Sequence, residues 1–475
     1  MELSTPRVGT RLRNYLLPSP VRHLAPIIAK WTFVAILVRV LLAPITASRD
    51  LSVTAWVSLV LLDKHQLIQS NDPPIVFLFF SAIFGALGPL ISPQMRSFYL
   101  SSRNYNPSEV MHILALAQPG IQQMLLVMKL PFLFFDIGIG LMILHLIEDP
   151  KKALLGYKLW LFNPVSILVS YVIGQYDIMV TFFIVLSLFL YKKRKENSTA
   201  LALGMAAAIK AVGLLLLLPF ALFRIRQNSA LSPTKKAVKF IQTILLGLLP
   251  PILGVLPLQL FAPYYESANL AMPPIYVNGF YGLTLWNRGS IGSNLFVGIE
   301  TFVLGYSISV QTGAGWDVFF LLPLMYMGLL VVLVHFRGWS FDTMRDSFLI
   351  FLLAYYALDT FHAQWFLWVQ PLLILVLVSY YDKLRNVYWA SCGLFFTYLL
   401  NFGSFLTVGL FVPIYPPAME FNLSLPAIVT LSLRMILSIV LLYMALLIFL
   451  ERWGHRLPWR IGPKTRLAEV NPALG

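Results

Sequence analysis

Long apolar stretches separated by short polar connections recur along the whole chain. The first covers residues 27–46 and the last covers residues 428–450. An α-helix needs about 20 mostly apolar residues to cross the hydrocarbon core of a bilayer, and many stretches approach this length. The pattern predicts an all-α polytopic membrane bundle of about 10–14 helical passes, folded as one integral-membrane domain over residues 1–475.

The amino-acid composition agrees with an integral membrane protein. Hydrophobic residues make up 58% of the chain and charged residues 12%, whereas a soluble domain carries about 25% charged residues. The net charge of +15 resides in the short connections, where basic residues act as orientation signals or contact anionic lipid headgroups. Membrane lipids are therefore expected partners, and nucleic acid is not. The one cysteine, Cys392, excludes an internal disulfide.

The distribution of Lys and Arg predicts which connections face the cytosol. Basic residues cluster near both termini, at residues 192–195 and across residues 224–239, whereas residues 47–73, 263–317 and 413–425 contain few of them. Because basic connections stay in the cytosol, both termini are expected there. The first helix is expected to be retained, since no cleavage site follows a short apolar core. The expected location is the plasma membrane in a prokaryote and the endoplasmic reticulum membrane in a eukaryote.

Two stretches do not fit a simple alternation of spans. Residues 74–92 either cross the membrane or dip into it and return, and the sequence leaves both possibilities open. Residues 199–223 lie between two basic connections and are too short for two full spans. They predict a helical hairpin bent at Lys210, which requires a protein-lined or hydrated cavity around the bend.

Several ionisable residues fall within the apolar stretches, where each is costly unless it is paired or hydrated. Arg39 and Asp136 are candidate structural partners inside the bundle. Lys210, surrounded by small residues, is a candidate contact for a lipid phosphate. Others are expected to snorkel near a helix end or to pair internally; these are Lys129, His145 and Arg434.

The first outside connection carries the most informative polar residues. Residues 51–69 predict a helix lying in the membrane interface, with Trp56 as an aromatic anchor. Asp50 directly precedes this helix. A carboxylate at the membrane surface can take a proton from an acceptor hydroxyl as a general base. The alternative is an ordinary solvated aspartate that pairs with Arg49.

Three further clusters are predicted on the same face as Asp50. They lie at residues 174–177 (Gly-Gln-Tyr-Asp), at residues 362–365 (His-Ala-Gln-Trp, with Asp359 just before) and at residues 278–294. Gln, Asp, His and Trp are residue types that bind sugars, but they also occur in ordinary interfacial turns. No metal-ligand spacing, phosphate-binding glycine loop or nucleophile elbow is present, so no metal or cofactor is expected.

The order of several motifs resembles the GT-C membrane glycosyltransferases, in particular mannosyltransferases related to GPI mannosyltransferase II. The similarity covers a core at residues 27–223, including the first outside connection at 47–73, and again residues 345–380; residues 224–475 supply the remaining helices. The motifs that carry it are Arg39, Asp50 and Trp56; Pro73-Pro74; the Lys-Leu-Pro stretch ending in an aspartate at residues 129–136; Asn163-Pro164 followed by the turn at 174–177; the hairpin at 204–219 with its central lysine; and His-Ala-Gln-Trp followed by Pro371.

The resemblance implies a GT-C bundle and a shared reaction. Such enzymes move a sugar from a polyprenyl- or dolichyl-phosphate carrier to an acceptor hydroxyl on the non-cytosolic face, usually with inversion. Asp50 would be the catalytic base, and Lys210 would stabilise charge on the phosphate. The other residues implied for substrate binding are Gln175, Asp177, His362, Gln364, Trp365 and Arg49. The sugar would be a hexose such as mannose, and the acceptor a lipid, a glycan or a peptide.

Two other functions remain open at the level of sequence. A transporter or lipid flippase would depend on charges near the membrane midplane, such as Arg39, Asp136 and Lys210, and would tolerate loss of Asp50. A non-catalytic GT-C-like subunit of a complex would keep its function after Asp50→Asn.

Overall fold

The described part of the chain is all-helical. The computed structural model describes residues 17–65, 74–101, 114–227, 230–261, 321–335, 340–358, 362–400, 406–421 and 426–453, and these ranges contain no β-strand. Sixteen α-helices are labelled here. They are α1 (Ala25–Leu42), α2 (Arg49–Lys64), α3 (Pro74–Leu87), α4 (Pro93–Ser101), α5 (Ile121–Lys129), α6 (Phe132–Leu146), α7 (Pro150–Leu161), α8 (Asp177–Lys192), α9 (Glu196–Ile209), α10 (Val212–Gln227), α11 (Pro233–Phe261), α12 (Leu321–His335), α13 (Phe341–Leu358), α14 (Phe366–Ser379), α15 (Tyr381–Leu399) and α16 (Ala427–Trp453).

Short helical turns connect several of these elements. Between α7 and α8 the chain forms a single turn of α-helix, Pro164–Ile167, that continues as a π-helical turn, Leu168–Ile173. The 3₁₀ turns are Ser19–Leu24, Gly88–Leu90, Ala363–Trp365, Val408–Phe411 and Pro416–Glu420.

Within the described ranges, five helical runs are long and apolar enough to cross a membrane. They are Ser19–Leu42, Ile121–Leu146, Pro150–Ile173, Pro233–Gly254 and Ser432–Trp453. The outer faces of the first and last runs present large apolar side chains, with Phe33 68% exposed and Ile439 62% exposed. A face of this kind suits contact with lipid. The expected all-helical fold is thus confirmed for the described residues, and candidate membrane-spanning helices are present.

The predicted hairpin around Lys210 is present. Helix α9 ends at Ile209, Lys210 adopts an extended backbone, and α10 begins at Val212. The far ends of the two helices meet, because Arg224 Nε donates to Glu196 Oε2 (2.7 Å). The chain therefore runs along α9, reverses at Lys210 and returns along α10.

The helix after Asp50 is present, but Trp56 is not a lipid-facing anchor. Helix α2 starts at Arg49 behind its N-cap Ser48, whose Oγ accepts from the Leu51 amide (3.4 Å). Trp56 is only 8% exposed and belongs to the main hydrophobic core. The prediction of an interfacial anchor was wrong because neighbouring helices, which local sequence does not reveal, cover this side of α2.

Residues 74–92 form α3 and the 3₁₀ turn after it. Ser81 Oγ donates to the Ser58 carbonyl (2.8 Å), and a Cβ built at Gly85, four residues on, would lie 3.7 Å from Leu62 Cδ1. Helix α3 therefore runs beside α2 in the same direction. Its 14 residues are fewer than the ~20 that a full span needs.

Candidate functional site

Asp50 meets the turn at residues 174–177, as the clustering of polar residues suggested. Gln175 Nε2 donates to Asp50 Oδ2 (2.7 Å). Asp50 is exposed in the first turn of α2, whereas Gln175 is 5% exposed. Among the residues that the structure describes, no ion pair joins Asp50 to the half-buried Arg49 beside it. The alternative of a solvated aspartate paired with Arg49 is not what the structure contains.

A glycine makes this approach possible. Gly174 has φ +84°, and a Cβ there would lie 2.8 Å from Leu51 Cδ2 and 2.9 Å from Lys129 Cε. Only glycine occupies this backbone region without steric cost, and an added Cβ would force the side chains of Leu51 and Lys129 to shift. The turn therefore presses directly on the start of α2, which brings Gln175 to Asp50.

The second carboxylate, Asp177, lies two residues further on in a different environment. It is 0% exposed. Lys210 Nζ donates to Asp177 Oδ2 (3.1 Å), and Trp368 Nε1 donates to Asp177 Oδ1 (2.8 Å). Both oxygens are thus occupied by protein donors, so Asp177 orients Lys210 from within the bundle.

Lys210 is further enclosed by aromatic rings. Its Nζ lies 5.1 Å from the Tyr176 ring centroid and 5.9 Å from the Trp368 ring centroid. Such cation–π contacts attract the amino group and restrict its position. An ammonium has three N–H donors, and one faces Asp177. Lys210 therefore has the means to bind an anion that enters the site.

An aromatic wall connects this lysine to the turn at residues 362–365. The rings of Trp365 and Trp368 are stacked with centroids 5.3 Å apart, and the His362 ring centroid is 4.5 Å from that of Trp365. Burial, together with the charge of Lys210, lowers the pKa of His362 to about 4. The imidazole is consequently neutral at physiological pH. Gln364, on the same turn, is half-buried.

Two aromatic residues of this site were given no role of their own in the sequence analysis. Tyr176 was named only as a member of the cluster at residues 174–177, and Trp368 was not named. Trp368 follows Trp365 by three residues, the spacing that places two side chains on one helix face. A search for this spacing next to a predicted polar turn would have found Trp368.

The buried ionisable residues outside the site pair internally. Arg39 Nε donates to Asp136 Oδ2 (2.5 Å), and both side chains are 0% exposed. This confirms the expected structural pair between α1 and α6. Arg434 donates to the carbonyl of Tyr356 (2.9 Å), so it caps the end of α13 instead of snorkelling.

Some predicted residues lie outside the described ranges. These are Asp359 and the cluster at residues 278–294, so the structure does not test their placement. Within the described ranges, no group of three or more His, Cys, Asp or Glu side chains is arranged to hold a metal ion. The expectation that no metal or cofactor takes part stays a prediction.

The site thus combines an exposed carboxylate, a restrained ammonium and a neutral imidazole beside an aromatic wall. The carboxylate can accept a proton, and the ammonium and the imidazole can bind an anionic or hydroxyl-rich molecule. Comparison with known proteins adds no further assignment: no family model, no curated protein and no solved structure matches this chain.

Proposed function

We propose that this protein is a membrane glycosyltransferase of GT-C type that transfers a sugar from a polyprenyl-phosphate donor to an acceptor hydroxyl. The observation that carries the proposal is the turn at residues 174–177. Through Gln175 and Asp177, this one turn holds both the candidate base, Asp50, and the candidate phosphate-binding cation, Lys210.

The environment of Asp50 suits a general base. Its observed side-chain hydrogen bond comes from a neutral amide, and the residue is exposed. A cationic partner would favour the ionised carboxylate and weaken it as a base. Gln175 fixes the direction of the carboxylate without adding such a charge. Asp177, in contrast, is bound on both oxygens and is not available for proton transfer.

The environment of Lys210 suits a donor phosphate. The ammonium is 8% exposed and is held by Asp177 and two aromatic rings. A preorganised positive charge stabilises negative charge that develops on a leaving group. We expect His362 and Trp365, whose rings lie together on the adjoining wall, to contact the sugar or the phosphate.

The proposed reaction balances as a single displacement. Asp50 accepts the proton of the acceptor hydroxyl, and the hydroxyl oxygen forms a bond to the anomeric carbon of the sugar. The bond between that carbon and the phosphate oxygen breaks, and its electron pair leaves with the polyprenyl phosphate, which Lys210 stabilises. Attack opposite the leaving group inverts the anomeric configuration.

The arrangement in the membrane is part of the same proposal. We expect about 10–14 passes, with both termini in the cytosol and the site on the opposite face, where the connection at residues 47–73 is poor in basic residues. The endoplasmic reticulum membrane or a prokaryotic plasma membrane would supply the prenyl-linked donor.

The test is transfer by the purified full-length protein in lipid nanodiscs. A panel of polyprenyl-phosphate hexoses, labelled in the sugar, is offered with lipid, glycan and peptide acceptors. We expect one donor to yield a glycosylated product of inverted configuration together with free polyprenyl phosphate. Transfer from none of the donors would contradict the proposal and favour a transporter or flippase.

A matched pair of variants tests the role of Lys210. Lys210→Met is expected to lower kcat by roughly 10²–10³-fold, as is typical when one group that stabilises developing charge is removed. Lys195→Met removes the same charge from the exposed connection between α8 and α9, and should leave kcat unchanged. Equal rates in the two variants would remove Lys210 from the mechanism.

A further inference from the structure

The Lys129 side chain is buried in the bundle, and among the residues that the structure describes its amino group forms no ion pair with a carboxylate. It is 0% exposed, and it lies within the apolar run Ile121–Leu146. Its Nζ donates to the carbonyls of Ala43 (3.0 Å), Thr46 (2.5 Å) and Tyr171 (2.8 Å), and it lies 3.3 Å from Thr46 Oγ1. An amino group placed so deeply in an apolar run is expensive unless its donors are paired, so it needs a reason.

The carbonyls belong to two segments that are far apart in the sequence. Ala43 and Thr46 follow the end of α1 and lead directly into the N-cap Ser48 and Asp50. Tyr171 precedes the turn that presents Gln175. Lys129 therefore ties together the two pieces of chain whose side chains meet in the Gln175–Asp50 hydrogen bond.

A second contact joins these segments independently of the lysine. Thr46 Oγ1 donates to the Tyr171 carbonyl (3.2 Å). The lysine stem also touches the turn itself, because a Cβ at Gly174 would lie 2.9 Å from Lys129 Cε. The amino group of Lys129 thus sets how far apart the segments lie at one end, and its aliphatic stem sets how closely the turn approaches α2.

We propose that Lys129 is a positioning residue for the Asp50 site, which rests on the proposed function of Asp50 as base. Lys129 does not face the substrate. It acts by holding the segment before Asp50 against the segment before Gln175. This contact fixes the orientation of the Asp50 carboxylate and its distance from Lys210. Without the Lys129 amino group, three buried carbonyls lose a donor, and of these contacts only the Thr46–Tyr171 hydrogen bond still joins the two segments.

The first measurement is hydrogen–deuterium exchange of the purified full-length protein, which needs no activity. Lys129→Met should raise the exchange of amides in residues 46–52 and 172–177. Lys192→Met is the matched control, because Lys192 also donates to a main-chain carbonyl, that of Leu146 (3.0 Å), away from the site. Unchanged exchange at both segments in Lys129→Met would overturn the proposal, whether or not the protein is a glycosyltransferase.

The second measurement separates positioning from general stability. With the donor that the wild type uses, Lys129→Met should lower kcat roughly 100-fold, the effect of misplacing a reacting group by about 1 Å. The KM for the donor should change little, because Lys210 and the aromatic wall are untouched. In an Asp50→Asn background, Lys129→Met should cause no further loss, since residues that act as a unit are not additive. Two results would show that Lys129 is only a structural residue. One is a further loss of kcat when Lys129→Met is added to Asp50→Asn, and the other is a wild-type kcat in Lys129→Met despite raised exchange.

If Lys129→Met does not fold, Lys129→Gln replaces it in both measurements. The amide of glutamine keeps two N–H donors on a shorter side chain, so we expect a smaller rise in exchange and a smaller fall in kcat. Wild-type values for both would contradict the proposal.

Discussion

The turn at residues 174–177 contacts Asp50 through Gln175 and contains Asp177. The two carboxylates have different environments and therefore different expected roles. Asp50 is exposed and accepts from a neutral amide, whereas Asp177 is fully buried between Lys210 and Trp368. A base must be reachable by its substrate, and a residue that orients a buried cation must not be. The same residue type therefore serves as candidate base at one position and as support at the other.

Gly174 should be intolerant of any side chain. Gly174→Ala places a Cβ at φ +84° and within 2.9 Å of Leu51 and Lys129, so we expect a destabilisation of about 1–3 kcal/mol, the usual cost of backbone strain. The measurement is thermal unfolding of the purified protein. Gly393→Ala is the control, because no atom lies within 4 Å of its added Cβ; it should be neutral or slightly stabilising. Equal melting temperatures for Gly174→Ala and wild type would contradict the tight approach of the turn to α2.

His362 should make the stability of the fold depend on pH. Burial and Lys210 lower its pKa to about 4, below the value of about 6.5 for an unfolded chain. Between these values the unfolded chain binds a proton that the folded chain does not, so stability is full above pH 6.5 and falls as the pH approaches 4. In the wild type, the free energy of unfolding should fall by roughly 2–3 kcal/mol over this pH range because of His362, and His362→Gln should remove this fall. Unfolding by denaturant at several pH values measures it, and Gln364→Leu on the same turn should keep the wild-type dependence.

The residues of the site were largely predictable, but their partners were not. Asp50, Gln175, Asp177, Lys210 and His362 stand out because polar residues are rare in such a chain. The wrong pairing of Asp50 with Arg49 came from sequence proximity, whereas the helix directs these adjacent side chains differently. Lys129 was expected to snorkel or pair, since no local pattern shows that three carbonyls converge on it.

At the scale of helices, a buried ion pair joins α1 to α6. The Arg39–Asp136 pair is 0% exposed on both sides. Asp136→Ala should destabilise the protein by about 3–5 kcal/mol, because it leaves an uncompensated buried guanidinium. The double variant Arg39→Leu/Asp136→Leu should be less damaging than Asp136→Ala, since no charge stays buried.

Thermal unfolding measures this prediction too, with a partly exposed ion pair as the control. Arg96 pairs with Asp63 between α4 and α2, where the two side chains are 38% and 18% exposed. Asp63→Ala should cost at most about 1 kcal/mol, as exposed pairs do. If Asp136→Ala costs no more than Asp63→Ala, the buried pair is not what holds α1 against α6.

The elements themselves followed from two patterns. Apolar length predicted the helices at residues 27–46 and 428–450. The position of residues 199–223 between two basic connections, with too few residues for two full spans, predicted the hairpin of α9 and α10. The parallel course of α2 and α3 was not predictable. It depends on contacts such as Ser58 with Ser81, for which neither helix carries a distinctive local signal.

At the scale of the whole molecule, the charge pattern predicts which face carries the site. In a Cys392→Ser background, which removes the one native cysteine, a cysteine at Asp50 should react with a membrane-impermeant maleimide from the non-cytosolic side of sealed vesicles. A cysteine at Lys195 should react only after the cytosolic side is opened. Both positions are exposed. Labelling of both from one side would contradict the topology and the proposed access of the donor.

The central claim is that the carboxylate of Asp50 removes the proton from the acceptor. Its most direct measurement is the single-turnover rate of sugar transfer in nanodiscs for Asp50→Asn beside Asp63→Asn, which makes the same change at the other end of α2. We predict that Asp50→Asn lowers the rate by roughly 10²–10⁴-fold, the contribution typical of a general base, and that Asp63→Asn transfers at the wild-type rate. Wild-type transfer by Asp50→Asn would contradict the account.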